Sequence, residues 1–314
     1  VEVTIDREGR TATITLNGPD QPAPKTMDEF QTQGDQAYLL RLAREFEDAI
    51  LHLRLNEMDL GLWVIRTQGD PELLLQHEAL LAENANHWLA NEVRHYWKRT
   101  LKRVDVTSRS LMAQVEHGSC FAGVLAELLW AVDRSYMMED EFEGDNRPIA
   151  TITLSNDNFG TYPMGNGLSR LETRFLDEAE RIDALKSHIG EPMEADDADE
   201  NGLVTMILED IDWEDEIRIF LEERASFSPD AMTGMEANLR FAGPETMETR
   251  IFGRLTACHP HQCAILCHPL LYVDSTFGRE RGGIARTRSV VVQRLKCFVQ
   301  FVHFVERLEQ LRGG

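Results

Sequence analysis

The first place where the sequence carries reactive side chains is the run HGSCFAG, residues 117–123. Cys120 could act as a nucleophile there if its pKa were lowered and His117 served as the base. Free cysteines are more often small, buried, apolar residues, and nothing in the run itself indicates an activated thiol. We therefore expect Cys120 to lie in the core, with nucleophilic catalysis as the alternative.

The second place is the run CHPHQCAILCH, residues 258–268, whose cysteines and histidines could ligate zinc. Their spacing matches none of the regular zinc patterns, so we expect no metal site. Residues 258–314 also hold eight Lys or Arg against four Asp or Glu, and four of the five cysteines of the chain. The composition therefore changes near residue 257, where we place a boundary.

The elements that must position these residues alternate between strands and helices. Residues 1–18 have the pattern of a β-hairpin with a turn at Glu8-Gly9, and residues 38–56 have apolar residues at helical spacing. Residues 60–70 indicate a buried strand and its exit turn, and residues 72–103 are helical in pattern. This alternation predicts an α/β domain with a parallel or mixed sheet. We divide the chain into an α/β core (1–190), a helical region (191–257) and an atypical tail (258–314).

Charge and hydropathy exclude several classes of function. The net charge of −22 would repel nucleic-acid phosphates, so DNA and RNA are not expected partners. No apolar run reaches the roughly 18 residues that a membrane span needs, and no leader precedes the first strand. We expect a cytoplasmic protein. Because the first residue is Val1, we also expect the sequence to be part of a longer chain.

Three runs, in this order and spacing, resemble the crotonase (enoyl-CoA hydratase) superfamily. The first is a helix, a strand and a Gly-containing turn, from Phe46 to Asp70. The second, SLMAQVEHGSCFAGVLAELLWAVDRSYMM, has the family's acidic residue six positions before an Asp, here Glu127 and Asp133. The third, ITLSNDNFGTYPMGNGLSRL, is followed by IGEPMEADDADENGLV. The resemblance implies a spiral of β-β-α units, of which this chain is a degenerate copy.

A finer resemblance is to the double-length benzoyl-CoA-dihydrodiol lyase family of that superfamily. The runs KRVDVTSRSL, GSCFAG, FGTYP, DIDWEDEIRI, SPDAMTG, EANLRF and ETMETRIFGRLTA are similar to its C-terminal half. This similarity covers about residues 1–257 and ends at Ala257. The family would continue with a Trp-rich helix that helps its dimer to form, and this chain continues with CHPHQCAILCHP instead.

The resemblance also implies where catalytic groups would stand. In the superfamily, two backbone N–H groups bind the thioester oxygen in an oxyanion hole. One of them comes from a loop after the second strand, and here the chain passes directly from Asp70 to Pro71 and a helix. The other would fall at Val124, in a turn that keeps only Gly118 and Gly123 of its glycines. We therefore expect a degenerate oxyanion turn.

The acid–base pair of the superfamily is incomplete as well. Glu127 matches the first carboxylate, but four residues before Gly160, where the second would stand, the chain has Asn156. An amide cannot act as a base. We expect the neighbouring Asp157 to point to the opposite face of a strand. Glu127 and Cys120 remain catalytic candidates, with a purely structural Glu127 favoured.

The resemblance thus implies the scaffold half of a lyase. The enzyme would open the ring of 2,3-dihydro-2,3-dihydroxybenzoyl-CoA, with C–C cleavage and loss of formate, in aerobic benzoate degradation. Two alternatives remain: a self-sufficient enoyl-CoA hydratase or isomerase that uses Glu127, and a non-catalytic assembly module. We expect no cofactor, a CoA-thioester substrate bound through an upstream half, and a homodimer of the full-length protein.

Overall fold

The computed structural model describes residues 1–139, 147–176 and 178–227, all of which belong to one compact unit. The tail 258–314, with its cysteines and histidines, lies outside the described residues. The strands are β1 Glu2–Asp6, β2 Thr11–Asn17, β3 Leu62–Gln68, β4 Ser110–Val115, β5 Phe121–Ala122, β6 Arg134–Met138, β7 Ile152–Thr153, β8 Pro192–Met193 and β9 Met206–Leu208.

The helices lie between these strands and cover the larger sheet. They are α1 Met27–Gln33, α2 Tyr38–Asn56, α3 Pro71–Glu83, α4 Trp88–Asp105, α5 Gly123–Ala131, α6 Arg170–Arg174, α7 Ala179–Leu185, α8 Ala195–Glu200 and α9 Asp210–Ala225. Short 3-10 turns occupy Gly34–Gln36, Asn156–Phe159 and Lys186–His188.

Two sheets form the framework. The six-stranded sheet has the order β1-β2-β3-β4-β6-β9, in which only β1 and β2 pair antiparallel. The smaller sheet has the order β5-β7-β8. Parallel neighbours need crossover connections, and helices α2, α3, α4 and α5 lie along the connections between β2, β3, β4 and β6. The predicted α/β class with a mixed sheet is confirmed.

The middle of the larger sheet, at β3 and β4, is buried on both faces, whereas β1 at its edge is mostly exposed. Along β3, Trp63 and Ile65 face the main core while Leu62 and Val64 face α9, because successive side chains of a strand alternate between faces. Helix α9 covers this second face with Trp213 and neighbouring apolar residues. The first four residues of β3, Leu62 to Ile65, are therefore apolar and buried, as the sequence predicts.

The structure refines three predicted elements. The helical stretch over 72–103 is two helices, α3 and α4. The run IATITLS, residues 149–155, has a strand pattern in the sequence, but strand β7 is only two residues long, and a 3-10 turn begins at Asn156. The region 191–257 was predicted to be helical, but its described part also contributes β8 and β9, and β9 extends the larger sheet. The boundary at residue 190 stays a prediction.

The turn from β3 into α3 depends on close backbone packing. A Cβ on Gly69, whose φ is +142°, would stand 2.8 Å from the Gly18 Cα atom. The N–H of Gly69 donates to the Gly118 carbonyl at 3.0 Å. The Asp70 side chain then accepts from the Glu72 N–H, and Pro71 occupies the first turn of α3. These contacts start the helix immediately after the strand.

We predict that Gly69→Ala destabilises the protein more than Gly160→Ala. Both glycines have positive φ, but a Cβ at Gly160 would meet nothing within 4 Å. Backbone strain alone should cost about 1 kcal/mol at Gly160, and the clash with Gly18 should add about 2 kcal/mol at Gly69. The measurement is urea unfolding of both variants. Equal losses of stability would contradict the close approach at Gly69.

Candidate functional site

Helix α5 carries Glu127, the first carboxylate that the resemblance implies. All nine residues of this helix are buried, and Glu127 is only 1% exposed. A carboxylate in such a position is stable only if nearby groups satisfy its charge and its lone pairs. The partners of Glu127 therefore decide what it can do.

Both carboxylate oxygens of Glu127 are bound within the protein. The Asn158 amide donates to Oε1 at 2.8 Å, and the Arg170 guanidinium donates to Oε2 at 2.8 Å. Burial raises the pKa of Glu127, and the charge of Arg170 opposes that rise. A general base needs an oxygen that faces its substrate, and both oxygens here face fixed partners.

Arg170 links three helices through this network. Its guanidinium donates to the two carboxylate oxygens of Asp105, the last residue of α4, at 3.0 and 2.7 Å, and to the Tyr162 carbonyl at 2.9 Å. The Ser169 and Glu172 side chains form a capping box that fixes where α6 begins. Arg170 matched the family motif in the sequence, but its partners could not be identified there.

The expectation about Asp157 is wrong. Residues 156–159 form a 3-10 turn in place of a strand, so Asp157 and Asn158 are both buried while Asn156 is exposed. The group that faces Glu127 is the Asn158 amide, two residues after the predicted position. Asp157 instead pairs with Arg94 at 2.6 Å and accepts from the Thr161 hydroxyl at 2.7 Å. No second carboxylate hydrogen-bonds to Glu127 among the described residues.

The residues of the degenerate oxyanion turn have separate structural roles. Gly118 has φ +73° and uses its carbonyl to accept from Gly69 and its N–H to donate to Pro148. Gly123, with φ +45°, is the first residue of α5, and Val124 follows it in the buried helix. The structure therefore brings Gly123 and Val124 to a helix N-terminus but ties Gly118 into the β3 exit turn.

Cys120 lies in the core, 0% exposed. Burial and the nearby charge of Asp70 raise the pKa of its thiol to about 12. Its backbone N–H donates to the Thr67 hydroxyl at 2.8 Å. A thiol that stays protonated at neutral pH is a poor nucleophile. This environment favours the structural interpretation of Cys120.

Sequence reasoning missed Glu78, a buried acid on α3. The residue is 3% exposed, and neither carboxyl oxygen makes a hydrogen bond of normal geometry with a described residue. Burial is the main cause that raises its pKa to about 8. Asp157 and Glu127 add to the rise, and the Ser155 hydroxyl and Arg94 oppose it. Helical spacing places Glu78 beside Leu74 and Leu81, so only its apolar surroundings could have drawn attention to it.

A second feature is an open groove of about 540 Å³ between α9 and the larger sheet. Arg66, Arg147 and Trp213 are among the residues that line it. Arg66 is paired with Glu116, which also accepts from the Trp213 indole. Burial, followed by the charge of Arg147, lowers the pKa of Arg66. His117, the base considered for Cys120, also lines this groove, whereas the other candidates from the sequence do not: Glu127, Cys120, Gly118, Gly123 and Val124.

Within the three described ranges, no group of three or more His, Cys, Asp or Glu could hold a metal ion. Nor is any helix of those ranges long and apolar enough to cross a bilayer. The absence of a cofactor and the location in the cell stay predictions.

We predict that Arg170→Met destabilises the protein by about 3–5 kcal/mol. Loss of a fully buried guanidinium leaves the carboxylates of Glu127 and Asp105 without their cation. As a control, Arg218→Met removes an arginine whose ion pairs are exposed, and it should leave the unfolding midpoint unchanged. Urea unfolding measures both. Similar effects of the two substitutions would contradict the central role of Arg170.

Glu78 should make stability depend on pH. The pKa of its carboxyl in the folded state, about 8, lies above the ordinary value of 4.5, so the folded state binds the proton more tightly. The stability gained from this proton is complete below about pH 4.5 and is lost as the pH rises through 8. The groups that face Glu78 are Asp157, Glu127, Arg94, Ser155 and Tyr162.

Glu78→Gln cannot ionise, so its stability relative to the wild type should increase by about 3–5 kcal/mol between pH 5 and pH 8.5. The measurement is urea unfolding at both pH values. Glu83→Gln, an exposed substitution at the end of the same helix, is the control and should follow the wild type. A constant difference between Glu78→Gln and the wild type would show that Glu78 keeps its charge at neutral pH.

Comparisons with known proteins agree with the resemblance. The chain is 49% identical over 257 residues to the benzoyl-CoA-dihydrodiol lyase of Aromatoleum evansii, an alignment that covers 82% of this chain and 45% of that protein. The chain thus spans about half the length of this curated relative. The alignment has the same length as the segment 1–257 that the motifs indicated. No family profile matches the chain.

Solved structures share the fold at low identity. Enoyl-CoA hydratase from Bacillus anthracis is 16% identical with a TM-score of 0.57, over 82% of this chain and 89% of that one. AtuE from Pseudomonas aeruginosa is 18% identical with a TM-score of 0.56, over 84% of this chain and 91% of that one. The chain therefore has the α/β fold of the crotonase superfamily and is a homologue of benzoyl-CoA-dihydrodiol lyase.

Proposed function

We propose that this chain is the non-catalytic C-terminal half of a benzoyl-CoA-dihydrodiol lyase. The complete enzyme would open the ring of 2,3-dihydro-2,3-dihydroxybenzoyl-CoA by C–C cleavage with loss of formate, in benzoate degradation through CoA thioesters. An upstream half would bind the thioester and supply its acid and base. This half would support the fold of that site and the dimer.

The proposal rests on the observation that both carboxylate oxygens of Glu127 already have hydrogen-bond partners within the protein. Proton transfer needs a carboxylate that can approach the substrate and change its protonation state during the reaction. Glu127 holds Asn158 and Arg170 with its two oxygens and is 1% exposed. Its displacement would leave the buried Arg170 guanidinium with Asp105 as its one remaining carboxylate partner among the described residues.

The backbone supports the same conclusion. An oxyanion hole needs two N–H groups that are free to bind the oxygen that gains charge. The N–H of Gly69, at the exit of β3, is already bonded to Gly118, and Pro71 has no N–H. A self-sufficient hydratase would need two such free N–H groups. The hydrogen bond between Gly69 and Gly118 therefore favours a supporting role over that alternative.

We predict that the purified chain releases no formate from the dihydrodiol thioester. The assay measures formate and loss of the thioester substrate, with the Aromatoleum evansii lyase as the positive control. Formate release by the purified chain would disprove the supporting role.

Calorimetry separates the two remaining alternatives. Thioester binding that Glu127→Gln abolishes would support a self-sufficient hydratase or isomerase. The absence of binding together with a stable dimer in sedimentation would support a pure assembly module.

A further inference from the structure

The N-terminus of α5 is a polar position inside the core. Its N-cap, Ala122, has no side chain that could accept from the first N–H groups of the helix. The first N–H groups of any helix lack partners within the helix, and together with the helix dipole they favour an acceptor or an anion. Gly123 leaves space beside them that any other residue would fill.

Glu78 occupies that space. A Cβ on Gly123 would stand 1.8 Å from the Glu78 Oε2 atom, so the carboxyl group lies directly against the glycine. This carboxyl is 3% exposed and makes no hydrogen bond of normal geometry with a described residue. A buried polar group without partners is unfavourable by itself. Here it lies beside a helix end that also lacks a capping side chain.

We propose that the N-terminus of α5 is a site for a carboxyl group and that the side chain of Glu78 is its built-in occupant. Removal of this side chain opens the site to a free short-chain monocarboxylic acid. The inference rests on the proposed function, since a half that handles no substrate can keep this position filled by its own side chain.

The size of the Glu78 side chain indicates which carboxylic acid could replace it. Beyond its Cβ atom, glutamate has two carbons and two oxygens, which are the heavy atoms of acetic acid. Glu78→Ala therefore removes one acetic acid from the core. Ser155 and Arg94 are already at hand around the vacated space and favour a carboxylate there, since both lower the pKa of Glu78, whereas Asp157 opposes them. An apolar molecule would leave these groups and the helix N-terminus unsatisfied.

The test is thermal unfolding of Glu78→Ala with sodium acetate or sodium chloride at equal ionic strength. If acetate binds with a dissociation constant of about 10 mM, 100 mM acetate should raise Tm by about 3 °C relative to chloride. Propionate, which has one carbon more, should give a smaller rise. The wild type should respond equally to both salts, because Glu78 fills its site.

Leu81→Ala is the matched control, because it creates a buried space on the same helix without a helix N-terminus beside it. It should show no preference for acetate. A folded Glu78→Ala variant whose Tm is the same in acetate and chloride would overturn the proposal, as would an equal response of Leu81→Ala. These results do not depend on formate release, so they separate a failure of this inference from a failure of the proposed lyase role.

A second measurement applies if Glu78→Ala does not fold. Glu78→Gln keeps the shape of the side chain and replaces a carboxyl oxygen by an amide. The backbone amide signals of Val124 and Leu125 should then shift in ¹H–¹⁵N spectra, while Glu83→Gln leaves them in place. Unchanged signals in Glu78→Gln would mean that the carboxyl group does not interact with the helix N-terminus, and the proposal would be wrong.

Discussion

Burial of the Arg170 guanidinium is the constraint around which the centre of this fold is arranged. A guanidinium does not lose its proton in a protein, so it must keep counterions wherever it is buried. Asp105 at the end of α4 and Glu127 in the middle of α5 provide them. The positions of three helices therefore depend on a single side chain. The same pairing occupies both carboxylate oxygens of Glu127, so the contact that stabilises the fold also restricts what Glu127 can do.

Burial and neighbouring carboxylates together give Glu78 its raised pKa. Among the described residues, the buried carboxyl groups of Glu78, Asp105, Glu127 and Asp157 lie in the same region as the guanidiniums of Arg94 and Arg170. The charges of Asp157 and Glu127 disfavour the ionised form of Glu78 and so add to the effect of its burial. Glu78 reaches the cluster because α3 starts directly after β3. The tight turn at Gly69 thus determines where α3 begins and, with it, the position of Glu78 beside the N-terminus of α5.

The framework could be predicted from the sequence, while the details of the site could not. Alternating strand and helix patterns predict the α/β fold, and the position of Glu127 in a buried helix follows from the apolar run around it. Counting by family spacing placed the opposing amide at Asn156, but a 3-10 turn brings Asn158 there. Pattern rules assume one regular period, so they fail where a strand stops after two residues. The contact of Glu78 with Gly123 joins residues 45 positions apart, and no local pattern encodes it.

Polar side chains can remain in a protein core when each of them has a fixed partner. Apolar replacement of Glu127 would leave the Arg170 guanidinium short of a counterion, and this is costly unless Arg170 changes as well. A fixed partner for each polar group avoids this cost. Asn158 and Arg170 hold Glu127 in this way, and Glu78 fills the helix end that Gly123 leaves open. The presence of polar side chains in this core is therefore a poor indicator of catalysis. What matters for catalysis is whether their oxygens and N–H groups are free to contact a substrate.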